Sequence, residues 1–261
     1  WRLCTPTGSG TVTETATPTL TTSTTTPTIG VVDLNLSVEN DYEAIAADGV
    51  TTINIRADID GDARGEDIQW SAVSVESGQN LSKSLSAPNA GEKSSLVAFL
   101  PPEGMPLNYE VEISANIKGT WTGQSVKIRV IPTPVILIHG VWSSPSALFT
   151  LGETIRRVYQ DDFLVDYADY SGGNSRDTHT SHHSVIKSKA KLATAIDLML
   201  DSQRALGHKV SQVDIVAHSM GGLISRLYLQ ESPDRVRKLV TLATPHWGSY
   251  VGDWYQNFIE T

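Results

Sequence analysis

The stretch that most constrains this chain is Val213-Asp214-Ile215-Val216-Ala217-His218-Ser219-Met220-Gly221-Gly222. An apolar run stops at a serine flanked by small residues, and helical spacing begins at once with Met220, Leu223, Ile224, Leu227 and Tyr228. A strand that turns into a helix within one residue puts its apex in a strained backbone conformation. The positions two before and two after the apex then press together and must be small. Here they are Ala217 and Gly221, with Gly222 giving further room. Such a turn presents the Ser219 hydroxyl at the apex between a strand and a helix.

The rest of the chain divides by pattern. Residues 1–29 are rich in Thr and Pro with almost nothing apolar to bury, so they read as an extended tail or linker. From 30 to 131 short runs alternate with period two, as in Val32-Leu34-Leu36-Val38, Ile53-Ile55-Ala57-Ile59, Val111-Ile113-Ala115-Ile117 and Val126-Ile128-Val130. Turn residues punctuate them, which predicts an antiparallel β-sandwich with Trp70 as a core aromatic. Asp58, Asp60 and Asp62 lack a full calcium ligand set, and Asp-Gly is itself a hairpin signal, so this segment reads as a solvated hairpin turn. Ile131-Pro132-Thr133-Pro134 ends the ladder, because proline donates no hydrogen bond.

From 132 to 261 the pattern is α/β. Val135-Ile136-Leu137-Ile138 is a continuous apolar run suited to a strand buried on both faces, and it leads into His139-Gly140-Val141-Trp142. Helical spacing is expected over 145–159, a short strand over 163–167, a long helix over 185–206 stopped by Gly207, and a buried strand over 236–243. That last strand leads into Thr244-Pro245-His246-Trp247-Gly248-Ser249. His179, His182 and His183 lie in a polar stretch with no carboxylate or cysteine arranged beside them, and solvated histidines are the expectation there rather than a metal site.

The Ala-His-Ser-Met-Gly-Gly turn, the His-Gly pair and the Ala-Thr-Pro-His-x-Gly-Ser loop, in this order over residues 134–261, resemble α/β-hydrolase-fold lipases and esterases. Within the preceding region, 47–55 and 60–70 resemble bacterial Ig-like modules of the invasin type. The expected fold is therefore a doubly wound, mostly parallel α/β-hydrolase sheet behind an all-β Ig-like sandwich. The resemblance implies that Ser219 is the nucleophile of a carboxylic ester hydrolase. The oxyanion would be met by backbone N–H groups of Met220 and Val141, with Trp142 as the alternative to Val141. His139, Gly140, Ala217 and Gly221 would support the loops. No metal or cofactor is expected.

In that family the acid and the base follow the serine, in the order Ser, Asp or Glu, His. After Ser219 the only histidine is His246, directly behind the next strand and too early for the base. Asp234, Asp253 and Glu260 are poorly placed for the acid. The expectation is an incomplete hydrolase domain whose acid and base lie beyond Thr261, so that this chain alone is inactive. An in-chain pairing of His246 with Asp253 would break the family order.

Charge limits the partners. The net charge is −9, of which residues 1–131 carry −8, so nucleic acid and electrostatic adhesion to anionic lipid are disfavoured. The expected partner is a lipid or other ester substrate, met at a cell surface or lipid interface. Cys4 is the only cysteine, which excludes an internal disulfide. A cysteine ahead of a Thr-rich tail has the form of a lipoprotein anchor, although Trp1-Arg2-Leu3 fits that motif poorly. With no initiator Met and no leader, the chain reads as mature or as a fragment, secreted or held at a bacterial surface. Two further readings differ in class. One is an acyltransferase or inositol-deacylase-like esterase with the same turn, and the other is an adhesion protein carrying a spent hydrolase.

Overall fold

A computed structural model of the chain describes residues 32–102, 108–171 and 181–250, the last with side chains from 187 onward. Cys4, the Thr/Pro stretch, His179, Asp253 and Glu260 lie outside the described residues, as do the side chains of His182 and His183. Among the described residues no helix is long and apolar enough to cross a membrane.

The first half forms two sheets from eight strands: β1 (Asp33–Val38), β2 (Ala44–Ala46), β3 (Ile53–Asp60), β4 (Ile68–Ser74), β5 (Asn89–Ala90), β6 (Ser94–Phe99), β7 (Tyr109–Ile117) and β8 (Gly123–Ile131). One sheet has the order β1-β3-β6-β5; the other runs β2-β8-β7-β4. With β1 and β2 as two halves of a first strand, these orders are A-B-E-D facing C-F-G, the arrangement of an Ig-like sandwich. The first strand changes sheets at Asn40 and Asp41, whose φ values are 49° and 53°. Asn and Asp tolerate this left-handed backbone better than most residues. Alternation places Ile53, Ile55, Val97, Val111, Ile113 and Ile128 in a common core. Trp70 packs against both sandwich clusters and its indole N–H donates to Ser95 Oγ at 3.0 Å.

The segment after Asp60 differs from the expected hairpin. Strand β3 pairs with β1 and β6, whereas β4 pairs with β7 in the other sheet. The Asp-Gly signal therefore opens a crossover between sheets. Lys93 holds that crossover by donating to the carbonyl oxygens of Gly61 and Ala63.

The second half carries β9 (Val135–Ile138), α1 (Phe149–Tyr159), β10 (Val165–Ala168), α2 (Ser181–Ala205), β11 (His208–Lys209), β12 (Val213–His218), α3 (Met220–Glu231) and β13 (Val236–Leu242). Strands β10-β9-β12-β13 form a parallel sheet in that order. Strand β9 is buried at all four positions, as a central parallel strand should be. The expected strand over 163–167 begins later, because Asp162–Leu164 form a 3-10 turn that Asp161 caps by accepting from Phe163 N–H at 2.9 Å. Strand β13 is not buried throughout. It pairs with β12 alone among the described residues, and Val240 and Leu242 on one face are exposed.

The two halves share structure. Strand β11 lies parallel to β2 and adds itself to the sandwich sheet, His208 opposite Ala44 and Lys209 opposite Ile45. Gly207 ends α2 at φ 76°, and its carbonyl accepts from Glu43 N–H at 2.9 Å. Ala44, Ala46 and Ile131 of the sandwich belong to the same apolar cluster as Leu192, Ile196, Val213 and Ile215.

Candidate active site

Strand β12 delivers the chain to Ser219 and α3 starts at the next residue. Ser219 has φ 52° and ψ −122°, a conformation L-residues rarely hold. Its own N–H donates to Leu242 O at 2.8 Å, so the turn hangs on the end of β13. Ala217 beneath it is fully buried, while Ser219 is half-buried and open to solvent. Helix α3 starts at Met220, so its N-terminus lies beside the serine and its dipole favours negative charge there, while Gly222 N–H donates to Ser219 O at 3.1 Å.

Three glycines define how tightly the parts meet. A Cβ on Gly221 would come within 2.6 Å of His139 O and 2.9 Å of Ile138 O, so α3 rests directly on the end of β9. A Cβ on Gly140 would lie 3.0 Å from Ser219 Cβ and 2.9 Å from His218 Nδ1. The loop after β9 is thus in contact with the serine, and Val141, the residue after Gly140, follows from that contact point. A Cβ on Gly222 would overlap the side chain of Thr244, which seats the loop after β13 against the same helix. The structure sets Gly140 against Ser219 and Gly221 against the end of β9, with Ala217 buried beneath the turn; Met220 follows Ser219 in the chain, and Val141 and Trp142, the latter at φ 52°, follow Gly140.

His139 is completely buried and held on every side. Its Nδ1–H donates to Gly140 O at 2.9 Å and its Nε2 accepts from Tyr170 N–H at 3.3 Å. The Tyr170 ring stacks on it at 4.0 Å and the Tyr170 hydroxyl donates to His139 O at 2.6 Å. Burial pushes the Tyr170 hydroxyl well above the usual phenol range. Beside them Ser171 N–H donates to the Asp169 carboxylate and holds its pKa below the usual range. Tyr170 was not legible as a site residue, because it lies in irregular chain just past β10.

Among the described residues no histidine hydrogen-bonds Ser219 Oγ. His208 sits in the junction with the sandwich, where its Nδ1–H donates to Gln203 Oε1 and its Nε2 accepts from Arg129, each at 2.9 Å. The His246 ring bonds Arg226 and Thr241.

A serine at a strained strand-to-helix apex, on a parallel sheet, with a glycine loop from the neighbouring strand against it, defines an α/β-hydrolase. The C-terminal half of this chain is such a domain, and the N-terminal half is an Ig-like sandwich. More particularly, residues 130–258 match the PGAP1-like alpha/beta domain, and this stretch is a PGAP1-like α/β-hydrolase domain. The chain is 27% identical over 165 residues to a putative GPI inositol-deacylase C of Yarrowia lipolytica, covering 58% of this chain and 19% of that protein. It is 37% identical over 51 residues to a triacylglycerol lipase of Pseudarthrobacter phenanthrenivorans, covering 20% of this chain and 16% of the lipase. An extracellular alpha/beta-hydrolase from a Paenibacillus species aligns in structure at 21% identity and a TM-score of 0.33, over 49% of this chain and 50% of that one. The chain thus spans a fifth or less of the length of these curated relatives.

Proposed function

We propose that Ser219 is the nucleophile of a carboxylic ester hydrolase acting on lipid esters. The observation that carries this reading is the backbone of Ser219, held at φ 52° and ψ −122° at the mouth of the sheet. Strain of this kind costs of order 1–3 kcal/mol and persists where neighbouring structure enforces it. In the reaction Ser219 Oγ attacks the acyl carbonyl carbon while its proton passes to a base. The carbonyl oxygen becomes an oxyanion met by the N–H groups of Met220 and Val141, each contributing roughly 3 kcal/mol of transition-state stabilisation. The tetrahedral intermediate expels the alcohol, which takes the proton. Water then cleaves the acyl-enzyme by the same steps.

His139 and His246 are each engaged elsewhere, so on this reading the base and its carboxylate come from outside the described residues. The likeness to triacylglycerol lipases supports a lipid acyl group. So do the exposed Trp142, Trp247 and Tyr250, which stand in the loops after β9 and β13. An acyl group on an inositol-containing lipid is the finer form of the same reading, supported by the longer match to the putative inositol-deacylase.

The test is a fluorophosphonate probe on the full-length protein. Label is expected on Ser219 and is lost in Ser219→Ala. A folded full-length protein that takes no label overturns the hydrolase reading and leaves the adhesion reading in its place. Product analysis with added alcohol then separates hydrolysis from acyl transfer.

A further inference from the structure

His246 is the only histidine after Ser219 in this chain, yet its hydrogen bonds run opposite to those of a catalytic base. In a serine triad the base donates from Nδ1 to a carboxylate and accepts the serine proton at Nε2. Here Nδ1 faces Arg226 Nη1 at 3.0 Å. A guanidinium has only donors, so Nδ1 must be the acceptor. The ring proton of the neutral imidazole is then on Nε2, which donates to Thr241 Oγ1 at 3.2 Å. Both nitrogens are committed, and neither meets Ser219.

These partners belong to elements that hold the serine. Arg226 is on α3, the helix that Ser219 opens, and Thr241 is on β13, whose Leu242 O takes the Ser219 N–H. Between them the chain turns back at Ala243, with φ 51°, and seats Thr244 against Gly222. We propose that His246 is a positioning residue, a two-sided clip that joins α3 to β13 and so fixes the backbone on which Ser219 is strained. This rests on the reading of Ser219 as the nucleophile. It gives the Ala-Thr-Pro-His loop a role distinct from proton transfer.

The experiment measures fluorophosphonate labelling rates of Ser219 in the full-length protein and the tautomer of His246 by long-range ¹H–¹⁵N spectroscopy. Gln carries one acceptor and one donor, so H246Q can retain both bonds. It is expected to label within about threefold of the wild type, because its geometry is kept. H246A and R226A are each expected to lose about tenfold or more, since small misplacements of a nucleophile are costly. The double variant should lose no more than the worse single one, because the two residues form one contact. Loss of about 10²-fold or more in H246Q makes His246 the base and overturns the proposal. Unchanged labelling in H246A and R226A also overturns it, as does a wild-type ring found mainly with its proton on Nδ1. A wild-type protein that takes no label but shows the Nε2–H tautomer removes the nucleophile reading and leaves the clip a structural contact only.

Discussion

Ser219 sits in a left-handed backbone that glycine accepts freely and serine does not. Replacing it separates stability from chemistry. Ser219→Gly relieves of order 1–3 kcal/mol of strain and adds about 1 kcal/mol of unfolded-chain entropy. Its urea midpoint is therefore expected to equal or exceed that of the wild type, while probe labelling disappears. A clear loss of stability would show that the turn is not strained. Gly221 gives the opposite case. A methyl there meets the backbone oxygens of His139 and Ile138, which cannot swing aside. Gly221→Ala is expected to cost about 1–3 kcal/mol by overpacking and to slow labelling, because relief comes only by lifting α3 off β9. A denaturant curve with the same midpoint as the wild type contradicts this packing.

At the scale of elements, the junction between the halves is built from β2, β8, the end of α2 and β11. His208 is buried there, accepting from Arg129 and donating to Gln203, whose amide N–H₂ in turn donates to Phe163 O. Burial, and then the Arg129 charge, lower its pKa from the ordinary 6.5, against smaller opposing effects of Asp161 and Glu43. A lowered folded pKa means that the unfolded chain binds the extra proton first. The stabilisation is therefore complete above about pH 6.5 and is lost as pH falls from there toward the folded value. The melting temperature is expected to fall from pH 7.5 to pH 5.5, and by less in His208→Asn, which has no proton to gain. Carboxylates such as Glu39, held low by Lys209, act only in a more acidic window. Equal pH dependence in the two proteins would remove His208 as the cause.

At the scale of the molecule, the sandwich is more than a spacer. It shares a sheet with β11 and a core cluster with α2 and β12, and Arg237 of β13 joins Asp214 and also donates to Ala47 O of the sandwich. Calorimetry is expected to show one cooperative transition for both halves. A chain beginning at Pro132 should be insoluble or molten, because it uncovers the apolar residues that Ala44, Ala46 and Ile131 cover. Two separate transitions, or a soluble fragment with native spectra, would show the halves to be independent.

The strands, the serine turn and the neighbouring glycine loop were legible in the residues, because alternation, Ala217, Gly221 and Gly140 record local backbone demands that act over a few positions. The crossover after Asp60 was not, since Asp-Gly encodes a turn but not which sheet receives the next strand. The exposed face of β13 was hidden too, because an apolar strand looks the same whether or not a layer covers it. His246 shows the same limit at the site: its place in the chain argued against a base, but only the guanidinium of Arg226 shows which nitrogen holds the proton. Sequence alone determined where the backbone must bend and where side chains must be small, since those are short-range steric conditions. Tertiary structure decided that the sandwich and the hydrolase sheet are one body and that the histidines serve as struts, since both depend on contacts between segments far apart in the chain.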